Sequence, residues 1–230
     1  MPEAVAPPRD SYFVVVSGAM NPAIHNPQWY RVIGAIDETE LQASLKILSN
    51  STTSFSSQVQ FGSPPLNVAC QPEQWWIQSS DAGSWPRMLV VASLVFARLK
   101  ETPLISFGLL AQRHIETDTS DIKSLLAASL IELNLGLPSG KSTGSNIILS
   151  VVEQDYEATT SIQPSNFSER SVFVLYQRQH EVPKAPSGYV DLGVLLKARF
   201  DQYLSGSAQV FTDASSEEFV GDLGLSAGVD

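Results

Sequence analysis

The feature that most constrains the fold is an amphipathic stretch between Ser84 and Leu99. Apolar residues recur there at the i, i+3, i+4, i+7, i+10, i+11 and i+14 spacing of one face of an α-helix. They are Trp85, Met88, Leu89, Ala92, Val95, Phe96 and Leu99. Further apolar residues at Val90, Val91 and Leu94 widen the face, which predicts a helix buried against a sheet. Ser84 is its expected N-cap, and the Thr-Pro pair that follows is expected to end it.

Short strand candidates precede and follow this helix. They are Tyr12 to Val16, Val59 to Phe61, Leu66 to Ala69, Trp75 to Gln78 and Leu104 to Ile115. The middle three are separated by short turn-forming segments containing Pro, which predicts an antiparallel meander. The first is a run of β-branched and aromatic residues and predicts a buried strand. In the last, Gly108 is a candidate β-bulge.

The N-terminal half also carries a weaker helix signal. A helix from Glu38 to Leu48 would place Leu41, Leu45 and Leu48 on one face. Its acidic start would interact favourably with the helix dipole. The Ser- and Thr-rich stretch from Ser49 to Ser57 predicts a loop.

The C-terminal half repeats these signals in a different order. Asp118 to Ser120 predicts the start of a helix that runs past Leu133. Two strands are predicted at Asn146 to Glu153 and Ser171 to Arg178. A last helix is predicted to begin after Asp191 and to close at Ser205-Gly206.

Helices separated by runs of strands predict the α+β class rather than an alternating βαβ fold. We expect a mainly antiparallel sheet, or sheets, with three to four helices packed on one face. Residues 1–10 are Pro-rich and predict a disordered lead-in, residues 11–205 an α+β domain, and residues 206–230 an acidic tail. Two arrangements of the domain stay open: a single unit, or two similar halves at 11–118 and 119–205.

The formal charge of −10 is concentrated at the C-terminus. From Phe200 onward there are six acidic residues and no Lys or Arg, whereas the rest of the chain is nearly balanced. A terminal segment of this composition is expected to be solubilising, or to dock on a partner through apolar residues such as Phe211 and Phe219. Because no cluster of basic residues occurs anywhere, direct nucleic-acid binding is not expected.

Several features bear on the cellular compartment. No apolar stretch approaches the roughly 18 residues that a membrane-spanning helix needs, and the N-terminus lacks the basic start and apolar run of a signal peptide. The single cysteine, Cys70, cannot form an internal disulfide. We therefore expect a cytoplasmic protein with no membrane contact, in which Cys70 is a small buried apolar residue rather than a nucleophile.

Two segments resemble catalytic or nucleotide-binding motifs without completing them. Gly136 to Ser142 resembles a phosphate-binding loop, but only three residues separate its glycines and it leads from a predicted helix into a predicted strand. Ser120-Asp121-Ile122-Lys123 matches Ser-x-x-Lys, but its partner motifs are missing, so that Ser120 is better explained as a helix cap. No catalytic residue and no cofactor is predicted from either segment.

The three histidines, His25, His114 and His180, are far apart in sequence, and no metal site is predicted. His114 and Glu116 would share one face of a strand, as in half of a hydrolytic site. His180 ends another long strand, which could be a neighbour of the first. These three residues are the candidates if the protein is an enzyme.

The aromatic residues suggest binding more than catalysis. Trp75 and Trp76 are adjacent on a predicted strand, so their side chains must point to opposite faces. One of them is expected in the core and the other on an exposed face or beneath a partner. Because aromatic residues are enriched at interface hot spots, Trp75, Trp76, Phe211 and Phe219 are the candidate protein-binding residues.

One part of the chain resembles a known group of proteins. Cys70 to Gln78, the helix to Leu99 and the run Thr102 to Gly108 resemble a sporadically distributed group of uncharacterised bacterial proteins of similar size. The resemblance covers mainly residues 55–115, and its marks are a hairpin tryptophan, a buried helix and a Thr-Pro before a Gly-containing strand. It implies no activity and carries over no catalytic residue.

These observations favour a non-catalytic cytoplasmic protein that acts through contacts with a protein partner or through homo-oligomerisation. Such a protein would belong to a bacterial multi-protein assembly or a host–virus conflict system. A first alternative is a hydrolase or transferase with a dispersed site around His114 and His180. A second is an acidic mimic of nucleic acid, which would need carboxylates spread in a stripe.

Overall fold

The computed structural model describes residues 10–116, 147–153, 155–168, 170–183 and 190–215. These residues form one sheet of nine strands and four α-helices. The strands are β1 Asp10–Gly18, β2 Ser51–Thr52, β3 Ser57–Phe61, β4 Leu66–Gln71, β5 Gln74–Ser79, β6 Leu104–Glu116, β7 Ile147–Val152, β8 Glu157–Pro164 and β9 Ser171–Glu181. The α-helices are α1 Pro27–Val32, α2 Glu38–Ser44, α3 Trp85–Arg98 and α4 Leu192–Ser215.

All pairings in the sheet are antiparallel, and the strand order is β2-β3-β4-β5-β1-β6-β9-β8-β7. The predicted α+β class is therefore confirmed, as is the meander of β3, β4 and β5. Strands from residues 11–118 and from residues 119–205 belong to this one sheet, since β6 pairs with β1 on one side and with β9 on the other.

The order of elements repeats about the centre of the sheet. In the first half, β1 is followed by the meander β3-β4-β5 and then α3, and β5 returns to pair with β1. In the second half, β6 is followed by the meander β7-β8-β9 and then α4, and β9 returns to pair with β6. The two helices contact each other. The fold thus has an internal two-fold pseudosymmetry whose axis passes between β1 and β6, and the repeat begins again at Leu104.

The helices cover one face of the sheet, which we call the helix face. Trp85, Met88, Val91, Val95 and Phe96 of α3 are buried there against strand residues, and the Trp75 and Phe96 rings meet edge to face at 5.4 Å. At the far end of α3, Trp85 packs against Tyr203 of α4 with ring centroids 5.5 Å apart. Apolar burial along both helices against the sheet supplies the core.

Aspartate side chains cap the starts of helices α2 and α4. Asp37 accepts a hydrogen bond from the Glu40 backbone N–H at 2.8 Å, and the Glu40 carboxylate accepts one in return from the Asp37 N–H. This reciprocal capping box fixes the start of α2. Asp191 likewise accepts from the Val194 N–H at 3.2 Å at the start of α4. Ser84 precedes α3, but its side chain makes no capping hydrogen bond there.

Some predicted boundaries are wrong. Helix α2 ends at Ser44 rather than Leu48, so Leu45 and Leu48 are exposed and only Leu41 of the predicted apolar face is buried. The segment predicted as a loop contains the short edge strand β2. Gly108 is not a bulge, because β6 pairs in continuous register with both neighbours across it.

Two larger corrections fall in the second half. Strand β8 was not predicted, because Ile162 is the only large apolar side chain in its sequence. Helix α4 does not close at Ser205-Gly206 but continues to Ser215, so the first ten residues of the predicted tail are helical.

Several predictions concern residues outside the described ranges. They are the lead-in up to residue 9, the helix after Ser120, the loop resembling a phosphate site, and the tail beyond Ser215 with Phe219. Asp10, the last residue of the predicted lead-in, instead begins β1. Within the described part of the chain, no helix combines the length and apolar character that crossing a bilayer requires.

Candidate binding face

The face of the sheet opposite the helices, which we call the open face, carries an apolar patch at its centre. Register places Phe13 of β1 opposite Leu110 of β6, and Val15 opposite Gly108 on one side and Trp76 of β5 on the other. Paired residues of an antiparallel ladder share a face, so these side chains are neighbours. Each of the four is half-buried. We call Phe13, Val15, Trp76 and Leu110 the central apolar patch.

Side-chain amides surround this patch. Ten of them lie at open-face positions of the ladder: Gln58, Gln60, Asn67, Gln71, Gln74, Gln78, Gln112, Gln163, Gln177 and Gln179. Two occupy equivalent places in the two halves and make the same contact. Gln78 donates to the Ser11 hydroxyl and Gln179 donates to the Ser106 hydroxyl, both at 3.2 Å. The amide groups can both donate and accept hydrogen bonds.

The open face has an unusual charge pattern. None of its described strand positions is a lysine or an arginine. Its carboxylates are Glu116, Glu157 and Glu181, each at the end of a strand. The arginines of the described strands, Arg113 and Arg178, pair with helix-face residues. The centre of the open face is therefore uncharged.

The two adjacent tryptophans divide between the faces as predicted. Trp75 is 0% exposed, and its indole N–H donates to the Tyr30 hydroxyl at 3.2 Å. Its side chain belongs to the core and offers no surface to a partner, which corrects its inclusion among the binding candidates. Trp76 lies on the open face beside Val15.

Phe211 is also buried by the protein itself. It lies on α4, not in a free tail, and is only 8% exposed. The Arg113 guanidinium stacks over its ring at 5.3 Å from the centroid and is held by Asp10 at 3.1 Å. The expectation that Phe211 becomes ordered on a partner is therefore corrected, because α4 continues through this position and packs it on the sheet.

The structure does not bring His114 and His180 together. Strand β6 carries His114 and its neighbour β9 carries His180. In their register, however, His180 lies opposite Phe107 and His114 lies opposite Phe173. Seven residues of β6 therefore separate the two positions, about 23 Å at 3.3 Å per residue. An odd number of residues also places the two side chains on opposite faces of the sheet. The dispersed site proposed around these two histidines does not form.

His114 and Glu116 do share the open face, as predicted. The His114 ring contacts Phe167 edge to face at 4.3 Å, and its Nδ1 lies 2.7 Å from the Ser165 hydroxyl. These contacts hold the ring beneath the loop after β8, a structural setting at the rim of the face.

His180 is a buried, neutral residue on the helix face. Its Nδ1 donates to the Asp155 carbonyl oxygen at 3.0 Å, and its ring stacks on Phe107 at 5.0 Å. Burial lowers the pKa of His180, which leaves a lone pair on Nε2 that has no hydrogen-bond partner. The ring lines a cavity of about 770 Å³. Among the described residues of its wall there is no serine, threonine or cysteine, and the hydroxyl present there is the phenol of Tyr156.

Other reactive groups in the described residues are part of the core. Cys70 is buried, as predicted, and burial raises the pKa of its thiol to about 12, which disfavours the thiolate. Among the residues that the structure describes, no group of three or more His, Cys, Asp and Glu side chains could hold a metal ion.

Sequence reasoning missed most of the central apolar patch. Tyr12 to Val16 is predicted as a buried strand, whereas only its even-numbered residues point towards the core and Phe13 and Val15 lie on the open face. The run is apolar throughout, so no alternation of apolar and polar residues marks an open side. Leu110 lies in a similar run.

No protein-family profile matches the chain, and neither the curated proteins nor the solved structures contain a significant match. The described residues define its architecture: an α+β protein with a nine-stranded antiparallel sheet, whose four described α-helices all lie on one face.

Proposed function

We propose that this chain is a non-catalytic protein that binds a protein partner through the open face of its sheet. One observation carries the proposal: the central apolar patch lies on a face on which none of the four described helices packs. Apolar side chains at the centre of a polar surface are the usual anatomy of a protein interface.

The chemistry of the face selects the kind of occupant. Trp76 and Phe13 can supply the buried aromatic anchors on which interface affinity depends. The surrounding amides can satisfy both donors and acceptors of a polypeptide surface without the cost of desolvating a charge. Nucleic acid is disfavoured, because phosphate binding requires Lys or Arg and the described open-face positions carry none.

The dimensions of the face suit a standard interface. Nine strands spaced about 4.8 Å apart span about 38 Å, and six-residue strands are about 20 Å long. The resulting footprint of roughly 750 Å² compares with the roughly 800 Å² that each partner contributes to a standard protein interface. We place the partner within a bacterial multi-protein assembly or host–virus conflict system.

Site-specific photo-crosslinking in cells tests which face meets the partner. A photoreactive phenylalanine replaces Trp76 on the open face in one variant and Val90 in the matched control. Val90 is an exposed apolar residue of α3 on the other side of the molecule. We expect a discrete protein adduct from position 76 and none from position 90. Equal adducts from both positions, or an adduct with nucleic acid, would contradict the proposal.

A further inference from the structure

The two edges of the sheet differ sharply. One edge is β2, a strand of only two residues, Ser51–Thr52. The other is β7, Ile147–Val152, which has six residues and pairs only with β8 among the described strands. A short polar edge strand is one of the ways in which soluble proteins prevent unwanted strand pairing. Strand β7 is neither short nor polar.

Exposed apolar side chains occur on both faces of β7. Ile148 and Val152 lie on the open face and are 60% and 78% exposed, and Val151 lies on the helix face and is 54% exposed. The segment contains no charged residue, no proline and no glycine. Its outward backbone N–H and C=O groups form a template for another strand.

We propose that β7 pairs in antiparallel orientation with β7 of a second copy of this chain, in a register centred on Ser150. The occupant follows from the sequence, because Ile148-Leu149-Ser150-Val151-Val152 reads apolar-apolar-Ser-apolar-apolar in both directions. Centring on Ser150 places Ile148 opposite Val152 on the open face, and Ser150 opposite its own copy. These are favourable cross-strand pairs for an isologous two-fold contact.

Charge is compatible with this self-pairing in spite of the net charge of −10. No residue of β7 is ionisable. In the proposed register, Glu153 lies opposite position 147 of the other copy, so that no two carboxylates face each other across the junction. Like charges directly opposite would have destabilised the pair.

The pairing has a geometric consequence. Because the register is centred on a residue, paired positions keep the same face, and the two sheets continue into one with their open faces on the same side. The dimer would present two central apolar patches side by side. This surface is separate from the patch, and its pairing does not depend on the partner proposed above.

Light scattering across a concentration series tests the association. We expect the wild-type chain to be a dimer at tens of micromolar. Val152→Lys and Ile148→Lys would raise the dissociation constant at least tenfold, since each introduces a charge beside the paired strand. The matched control is Val194→Lys, an exposed position of α4, which would leave the dimer intact. Near-UV circular dichroism of each variant verifies its fold.

Cross-linking tests the register. The only native cysteine, Cys70, is buried, so any intermolecular disulfide that forms involves the introduced cysteine. Ser150→Cys would form a disulfide-linked dimer under mild oxidation. Ile148→Cys would not, because its two copies are about 13 Å apart in this register, but it would cross-link when mixed with Val152→Cys. A wild-type chain that stays monomeric throughout the series, or equal cross-linking of Ser150→Cys and Ile148→Cys alone, would overturn the proposal.

Two variants distinguish partner binding at the central apolar patch from dimerisation through β7. Trp76→Lys is expected to abolish partner binding and to leave the dimer unchanged. Val152→Lys is expected to abolish the dimer and to leave binding at a single open face unchanged.

Discussion

At the scale of single residues, the core contains a hydrogen-bond network around Tyr30. The hydroxyl of Tyr30 lies 2.9 Å from His25 Nδ1 and accepts the Trp75 indole N–H at 3.2 Å. All three side chains are buried, and His25 is 1% exposed. Burial without a charged partner lowers the pKa of His25 to about 4, so the ring is neutral in the folded protein.

This network predicts a pH-dependent stability. The unfolded chain binds a proton at His25 below pH 6.5, whereas the folded chain does so only near pH 4. The free energy of unfolding therefore falls as the pH is lowered through this window, by up to about 3 kcal/mol from His25. Denaturant titrations of wild-type and His25→Gln protein at several pH values measure this change in the free energy of unfolding.

The expected result is a shallower pH dependence in His25→Gln, whatever the variant's stability at pH 7. His180→Gln is the matched comparison, because burial also lowers the pKa of His180 and this variant would remove its separate contribution. The same pH dependence in wild type and His25→Gln would contradict this description of the network.

Sequence reasoning at this scale succeeded where a single rule decides the outcome. Alternation along a strand was enough to divide Trp75 and Trp76 between core and open face. It failed for His114 and His180, because the contact between two strands depends on register, which the hydrogen-bonded ladder sets and the sequence of either strand does not reveal.

At the scale of elements, α4 shows how a tertiary contact overrides a local signal. Gly206 was interpreted as the end of this helix, yet the helix continues to Ser215. A Cβ at position 206 would lie 2.5 Å from the Tyr176 hydroxyl and 2.8 Å from Arg178 Nη2. The glycine is there so that the helix can approach β9 closely. It does not terminate the helix.

Gly206→Ala is therefore expected to destabilise the protein. An alanine in an open helical site would stabilise by about 1 kcal/mol. Here the overlap with Tyr176 and Arg178, which are joined by a 2.6 Å hydrogen bond, outweighs that gain, and we expect a net loss of about 1 kcal/mol. Urea denaturation measures it. Ser205→Ala, one residue earlier and exposed, serves as control and should change stability by less than about 0.5 kcal/mol.

The elements that could be predicted are those with a strong periodicity of apolar residues or with clear turn-forming residues at their ends. Helix α3 and the meander β3-β4-β5 fall in this group. Strand β8 could not be predicted, because Ile162 is the only large apolar residue among its eight positions and its place in the sheet is given by pairing with β7 and β9. Short polar strands of this kind are stabilised by their neighbours rather than by their own sequence.

At the scale of the whole molecule, the internal pseudosymmetry explains why one face is open. Each half follows its meander with one long helix, α3 or α4, and both helices pack on the same side of the joint sheet. The opposite side is left to strand residues, with β1 and β6 at its centre. From the sequence, two similar halves are only one of two possible arrangements, because equivalent positions of the repeat differ in chemistry. Ile77 pairs with Val14 in one half, and Arg178 pairs with Leu109 in the other.

The affinity of the purified partner for patch variants tests the central claim most directly. Once photo-crosslinking has identified the partner, calorimetry compares wild-type protein with Trp76→Ala and Leu110→Lys, and with Val90→Lys as the control on the helical side. The account predicts a loss of at least tenfold in affinity for each patch variant, about 1.4 kcal/mol or more, and no change for the control. Wild-type affinity in both patch variants would contradict it.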